Sequence, residues 1–274
     1  MKEEKSQLKK GVILNYINIG LGNLIPIFYT PVMLQLLGQS EYGLYKLSSS
    51  VTSYLSLVSL GIGSAVTRYL IKYKVEGSKK DEEKILGLFM IIFQIIAIAT
   101  LLIGTFLIFN LHIWYDKSLT SSQLMRMKIL VALMVCNMAI SFSVSPYISV
   151  VNAHEKFVFL QCMNILSTCI APIANLVMLY MGYKSIGMAI STLVINVIVQ
   201  LLYLIYVRKK LRIHARYRKL PLELLKEILV FSFWIFLANV VSQLYSATDT
   251  VMIGAIPALA TVGTAIYNVG NTLN

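Results

Sequence analysis

A backbone crossing a bilayer must satisfy its own hydrogen bonds, and this chain carries seven apolar segments long enough to impose that condition on most of its length. They run roughly over Val12–Leu37, Tyr42–Ile71, Ile85–Leu111, Ile129–Val151, Val158–Met181, Ile186–Val207 and Ile228–Ile253. Each is close to or above the ~20 residues that span ~30 Å of hydrocarbon. Helices follow, because connections such as Gly38–Glu41 and Gly182–Ser185 are too short to hold folded domains. The expected class is all-α, a polytopic integral membrane helical bundle. Hydrophobic residues make up 57% of the chain and charged ones only 13%. Soluble domains average about 25% charged residues, so a soluble fold would lack polar surface here.

Charge sets the expected orientation. With the N-terminus in the cytoplasm, 19 of the 24 Lys and Arg residues fall inside: the tail to Lys10, the stretch Arg68–Lys84, Lys156, and the stretch Arg208–Lys226. Lys46, Lys117, Arg126, Lys128 and Lys184 remain outside. The net charge of +12 therefore reads as a topology signal with attraction to anionic membrane lipid. It does not read as a nucleic-acid footprint, because the basic residues are not interleaved with aromatics on a polar face. The first apolar segment is too long for a signal-peptide core and stays as a span. Cys136, Cys162 and Cys169 lie in apolar segments without CxxC spacing and read as packing residues. His112, His154 and His214 are scattered, with His112 and Asp116 the one close His–acid pair in the sequence. No clustered nucleophile, base or metal set emerges, so neither an enzyme nor a cofactor is expected.

The stretch 208–227 is the candidate linker. A basic run is followed by Pro221 and by Leu222, Leu224, Leu225, Ile228 and Leu229 at helical spacing, which predicts an amphipathic helix on the cytoplasmic surface feeding the seventh span. An eighth apolar segment, Leu259–Asn274, would rise only about 24 Å as a helix. The chain is accordingly read as the N-terminal part of a larger membrane protein, divided into a six-helix lobe over 1–207, the linker over 208–227 and the start of a second lobe over 228–274. A faint repeat relates Pro31-Val32-Met33 to Thr250-Val251-Met252, and Tyr42-Gly43-Leu44-Tyr45 to Val262-Gly263 with Tyr267.

Three spans carry polar stripes. In span one, Asn15, Asn18, Gly22, Pro26, Tyr29 and Thr30 gather on one helical face, which suits a kinked helix interface and a water-filled cavity equally. In span two, Lys46, Ser49, Ser50, Ser53, Ser64, Thr67 and Arg68 share a face if the helix is continuous, with the two cations about 33 Å apart. Snorkelling cations with serines at a tight interface, or a hydrophilic wall meeting an anion at both mouths, fit that pattern evenly. Span seven presents Ser232, Asn239, Ser242, Gln243, Ser246 and Thr250, with Asp249 at its flank as the one acidic residue placed inside a span. An intramembrane carboxylate calls for a partner, and either Lys46 or interfacial water serves. Spans three and six, with Gln94, Asn196 and Gln200 as their polar residues, are expected to face lipid or scaffold the bundle.

Several ordered runs carry a family resemblance. They are Tyr42-Gly43-Leu44-Tyr45, Leu60 to Tyr69 through Gly61-Ile62-Gly63 and Arg68, Ser145-Pro146-Tyr147, Asn152 to Phe157, Gly182 to Gly187 and Asp249 to Gly254. Together they resemble the polysaccharide transporter, O-antigen flippase-like family of the multidrug/oligosaccharidyl-lipid/polysaccharide (MOP) superfamily, along the whole chain. The resemblance implies a MATE/MOP-like two-lobe transporter with alternating access, here cut after span seven. It also implies flipping of polyprenyl-pyrophosphate-linked oligosaccharide from the inner to the outer leaflet of a bacterial inner membrane for surface polysaccharide biosynthesis. The implied partners are the lipid-linked oligosaccharide, membrane lipid and a polysaccharide polymerase complex.

Cavities in that family are lined by spans one, two, seven and eight. The cavity candidates are therefore Arg68, Lys46, Asn15, Asn18, Ser53, Ser64, Asn239, Gln243 and Asp249, of which Arg68 sits in the Ala-x-x-Arg motif itself. A multidrug/cation antiporter of the related MATE branch would need an ion-coupling carboxylate in the first lobe, and spans one to six as drawn hold none. A membrane glycosyltransferase or polymerase would call for larger loops with catalytic acids.

Overall fold

The computed structural model describes residues 2–59, 61–218, 220–221 and 223–273, with side chains from Gln7 onward apart from those of 246, 272 and 273. Among the described residues the chain forms nine α-helices and no strand. They are α1 (Lys2–Leu37), α2 (Gln39–Ser53), α3 (Ile62–Glu76), α4 (Lys79–Tyr115), α5 (Ser121–Ala153), α6 (Phe157–Tyr180), α7 (Lys184–Ile205), α8 (Leu224–Ala255) and α9 (Ala260–Leu273). Among the described residues, seven helical stretches are long and apolar enough to cross a membrane, one for each predicted segment. The protein is a multi-pass membrane protein.

Span two departs from the continuous helix that its apolar run suggests. Helix α2 stops at Ser53, a short 3-10 helix covers Tyr54–Ser59, and Gly61 turns left-handed with φ of 69° before α3 begins. A β-carbon on Gly61 would stand 2.8 Å from an Ile235 methyl group and 3.0 Å from the Phe236 nitrogen on α8. Only glycine reconciles that φ with so close a neighbour. The hydroxyls of Ser53 and Ser59 donate to the carbonyls of Ser50 and Ser56, taking up acceptors that the changed winding releases. The wall from Lys46 to Arg68 is therefore two short faces on separate axes.

Helices α4 and α5 form the centre, with α3, α7 and α2 against them and α6 between α7 and α1. Ile85, Leu86, Phe89 and Phe93 of α4 are fully enclosed with Tyr147 and Val150 of α5 and Tyr203 of α7. Span three thus scaffolds the bundle. The faces left outside are apolar and sized for lipid, among them Tyr16 and Phe28 of α1, Phe106 and Phe109 of α4, and Trp234 of α8. Cys136 and Cys162 share that exposure, and all three cysteines are free, so the first two are not the packing residues expected.

Polar contacts tie each end of the bundle. At the Gly38 end, Gln123 of α5 donates to the Ser40 hydroxyl at 2.9 Å, and Ser40 lies 3.3 Å from the Thr261 hydroxyl of α9. A β-carbon on Gly43 would stand 1.7 Å from the Thr261 carbonyl oxygen, so glycine sets the α2–α9 crossing. At the Ser78 end, His154 Nε2 lies 2.6 Å from Glu82, and Lys74 donates to the Ala153 carbonyl at 3.0 Å. Ser78 caps α4 in a reciprocal box with Asp81.

The linker differs from its predicted form. After a π turn over Tyr206–Leu211, Arg212 turns left-handed and residues 213–217 run without helix. Ile213 is buried, and the Arg216 amide donates to the Glu83 carbonyl at 2.9 Å. Because this backbone finds an apolar anchor and a partner on α4, it has no need of a surface helix to satisfy itself. The helical spacing of Leu224, Leu225 and Ile228 belongs to the first two turns of α8, where those side chains join the core. Lys219 and Leu222 lie outside the described residues.

Candidate functional site

Where α2 gives way to the 3-10 helix, a concave chamber of about 430 Å³ opens between α2, α5 and α7. Tyr45, Ser49, Thr52, Ser53 and Ser56 line it from span two, Asn137 and Ser141 from α5, and Thr192 from α7, with Met134, Met138 and Phe142 completing the wall. Its polar side is held by Asn196. That amide donates to Asn137 Oδ1 at 2.7 Å, to the Asn137 carbonyl at 3.2 Å and to the Ser141 hydroxyl at 2.9 Å. Gln200 in turn donates to Asn196 Oδ1 at 3.3 Å. Amides bonded across helices in this way are fixed in orientation, because an unpaired polar group in an apolar interior is costly.

Helix α8 closes on the same part of span two. Gln243 donates to the Ser53 hydroxyl, and the hydroxyls of Tyr54 and Thr248 lie 2.8 Å apart. Ser53 and Gln243 are thus the pair of sequence candidates that the fold brings together. Asn239, one turn before Gln243, is exposed. The side chain of Ser246 lies outside the described residues.

The other candidates are placed apart. Asn15 accepts from Gln161 at 3.1 Å and Asn18 from Thr168 at 3.2 Å, so the polar face of α1 meets α6 as a helix interface. Lys46 and Asp249 form no ion pair with each other. The Lys46 ammonium stands 5.6 Å from the Tyr42 ring, whereas Asp249 accepts from the Tyr267 hydroxyl at 2.6 Å, at a separate concavity between α8 and α9. Ser64 and Arg68 are exposed on α3, beyond the break. The Arg68 guanidinium lies 4.5 Å from the Phe231 ring centroid on α8, a cation–π contact.

Two groupings are not drawn from the sequence, although Asn196 and Gln200 stand in it as polar residues of span six. Asn137 with Ser141, and Thr192 with Asn196 and Gln200, recur every four residues, a helical stripe legible in spans four and six. Span six therefore faces a polar chamber in addition to scaffolding the bundle. Glu41, which the sequence places in the Gly38–Glu41 connection, lies inside α2 and is buried. It accepts from Arg126 at 2.8 Å and from Ser185 at 2.6 Å, joining α2, α5 and α7. Replacing Glu41 with Ala is expected to cost about 2–3 kcal/mol of stability, since Ser185 is fully buried while Arg126 is part-exposed and regains water. Thermal unfolding of the purified protein checks this, with Glu41→Gln expected to lose less and an unchanged midpoint for Glu41→Ala refuting it.

Comparison with known proteins agrees with this architecture. The model of the family described as "Polysaccharide biosynthesis protein" matches residues 8–274. A solved structure named "protein A" superposes with a TM-score of 0.78 at 11% identity, covering 98% of this chain and 60% of that one. A MOP superfamily transporter from Pyrococcus furiosus Vc1 (DSM3638) superposes with a TM-score of 0.51 at 13% identity, covering 97% and 62% respectively. The chain thus spans about three-fifths of the length of these structures, whose likeness shows the fold. No curated protein matches it.

Proposed function

This chain belongs to the polysaccharide biosynthesis protein family, within the MOP transporter fold, and on that premise we propose that it flips polyprenyl-pyrophosphate-linked oligosaccharide from the inner to the outer leaflet. The observation carrying this reading is Arg68. Its guanidinium carbon lies over the Phe231 ring and it has no carboxylate partner among the described residues, which leaves donors for a phosphate. A pyrophosphate and a hydrated glycan cannot enter hydrocarbon unaided, whereas a polyprenyl tail can stay in lipid, so a groove with polar walls and one cationic contact meets the need. Transport of this kind involves no covalent step. The lipid-linked oligosaccharide is the substrate, and a polysaccharide polymerase complex is the partner that would use the product.

The antiporter reading is weakened by a different observation than the one the sequence offered. Span two does hold a carboxylate, but Glu41 is neutralised by Arg126 and bonded to Ser185, which leaves it ill-suited to a transported cation.

Orientation belongs to the same proposal, with the Ser78 end cytoplasmic in a bacterial inner membrane. That end gathers Lys72, Lys74, Lys79, Lys80, Arg212 and Arg216, all exposed. Single cysteines in a cysteine-free background are expected to react with an impermeant thiol reagent in intact cells at positions 116 and 184, and to be protected at 79, 156 and 216. The reverse pattern would invert the orientation. Transport itself is tested by restoring surface glycan in a strain lacking its own flippase, using the complete reading frame.

A further inference from the structure

The chamber between α2, α5 and α7 lies on the other side of the span-two break from Arg68, and a phosphate contact at Arg68 does not explain it. We infer that it is a subsite for neutral sugar residues of the lipid-linked glycan, an inference that rests on the flippase reading.

Its size, about 430 Å³, falls in the range of small-molecule pockets. No residue of its lining is charged at neutral pH, so a cation or a phosphate would be stripped of water there with no counter-charge. An uncharged ligand with many hydroxyls does not face that penalty.

The unused hydrogen-bonding groups point the same way. Asn196 occupies both oxygens of Asn137, while the Asn137 Nδ2 amide donates to nothing among the described residues. The hydroxyls of Ser49 and Ser56 also make no side-chain hydrogen bond among the described residues. A sugar carries donors and acceptors side by side, and its C–H face suits the wall of Met138 and Phe142. Asn196 holds Asn137 and Ser141 before any ligand arrives, so little ordering remains to be done on binding. The broken helix is the further element. Irregular backbone at membrane depth is tolerated where it lines a cavity, and Ser56 of the 3-10 helix does line this one.

The test uses the full-length protein in proteoliposomes, with every native cysteine, Cys136, Cys162 and Cys169 among them, replaced by Ala and a single reporter, Ser141→Cys or, separately, Thr192→Cys. Labelling by a small membrane-permeant maleimide is timed with a polyprenyl-pyrophosphate-linked oligosaccharide and with sugar-free polyprenyl pyrophosphate. The glycan-bearing lipid is expected to slow labelling at least fivefold at either position, and the sugar-free lipid to leave it unchanged. Labelling slowed by neither lipid would assign the chamber to water alone, and labelling slowed equally by both would assign it to the pyrophosphate or the tail; either result overturns the subsite. Translocation of the same lipid by the wild-type protein is followed in parallel. Translocation without protection removes the subsite alone, whereas absence of both removes the flippase reading with it.

Discussion

Gly43→Leu is expected to eliminate the folded protein, with no monodisperse species surviving extraction. The ideal β-carbon at this position stands 1.7 Å from the Thr261 carbonyl oxygen and 2.6 Å from its carbon. Overpacking a core usually costs about 1–3 kcal/mol, because side chains yield. Here the obstacle is the backbone of α9, and moving it also pulls Thr261 from Ser40 and Ala265 from the cluster of Met33, Leu37 and Tyr42. A cost above about 4 kcal/mol belongs to the small class of substitutions that unfold a domain outright. Gly43→Ala meets the same obstacle with one carbon and is expected to lower the thermal midpoint while leaving some folded protein. A Gly43→Leu protein with the wild-type elution profile and midpoint would show that α2 and α9 do not cross here.

Arg68→Ala carries the largest expected effect on function, a fall in translocation of about ten- to a hundredfold at unchanged membrane abundance. A charge-assisted hydrogen bond is worth about 1.5–3 kcal/mol, and every 1.4 kcal/mol is tenfold in a rate or an equilibrium. Abundance should hold because Arg68 is exposed and the neighbouring lysines Lys72 and Lys74 keep the charge asymmetry of that end. Lysine at position 68 can retain the contact with the Phe231 ring but cannot offer two parallel donors to a phosphate, so Arg68→Lys should recover only part of the rate. Surface glycan production in a flippase-null strain, normalised to protein in the membrane, separates these outcomes. Wild-type transport by Arg68→Ala would return Arg68 to a purely interfacial role.

The seven spans were legible because hydropathy over ~20 residues reports on the solvent, and lipid is uniform enough for that signal to hold. The break in span two was not. Gly61 is followed by Ile62 and Gly63, and in one dimension such a run looks like any close-packing surface. What makes it a turn is contact with Ile235 and Phe236, some 170 residues away.

Periodicity has a similar limit on α1. It identifies the face carrying Asn15 and Asn18 but not the neighbour, which proves to be Gln161 and Thr168 of α6. The stripe of Thr192, Asn196 and Gln200 was present in the sequence, yet it is sparse, and its meaning depends on Asn137 and Ser141 from another span. Glu41 falls outside the apolar run of span two for an energetic reason. A charge discourages extending an apolar segment, although burial is tolerable once Arg126 and Ser185 satisfy the carboxylate.

Reconstitution directly measures the proposed movement of a pyrophosphate-linked glycan between leaflets. Vesicles carrying a fluorescent polyprenyl-pyrophosphate-linked oligosaccharide in both leaflets are challenged with an impermeant quencher, with and without the purified protein from its complete reading frame. Slow spontaneous exchange leaves about half the signal protected in protein-free vesicles, because a glycan and two phosphates do not cross hydrocarbon. With the protein present, the protected half is expected to become accessible within minutes, and Arg68→Ala is expected to slow that phase. A protected fraction that stays the same with and without wild-type protein would contradict the account.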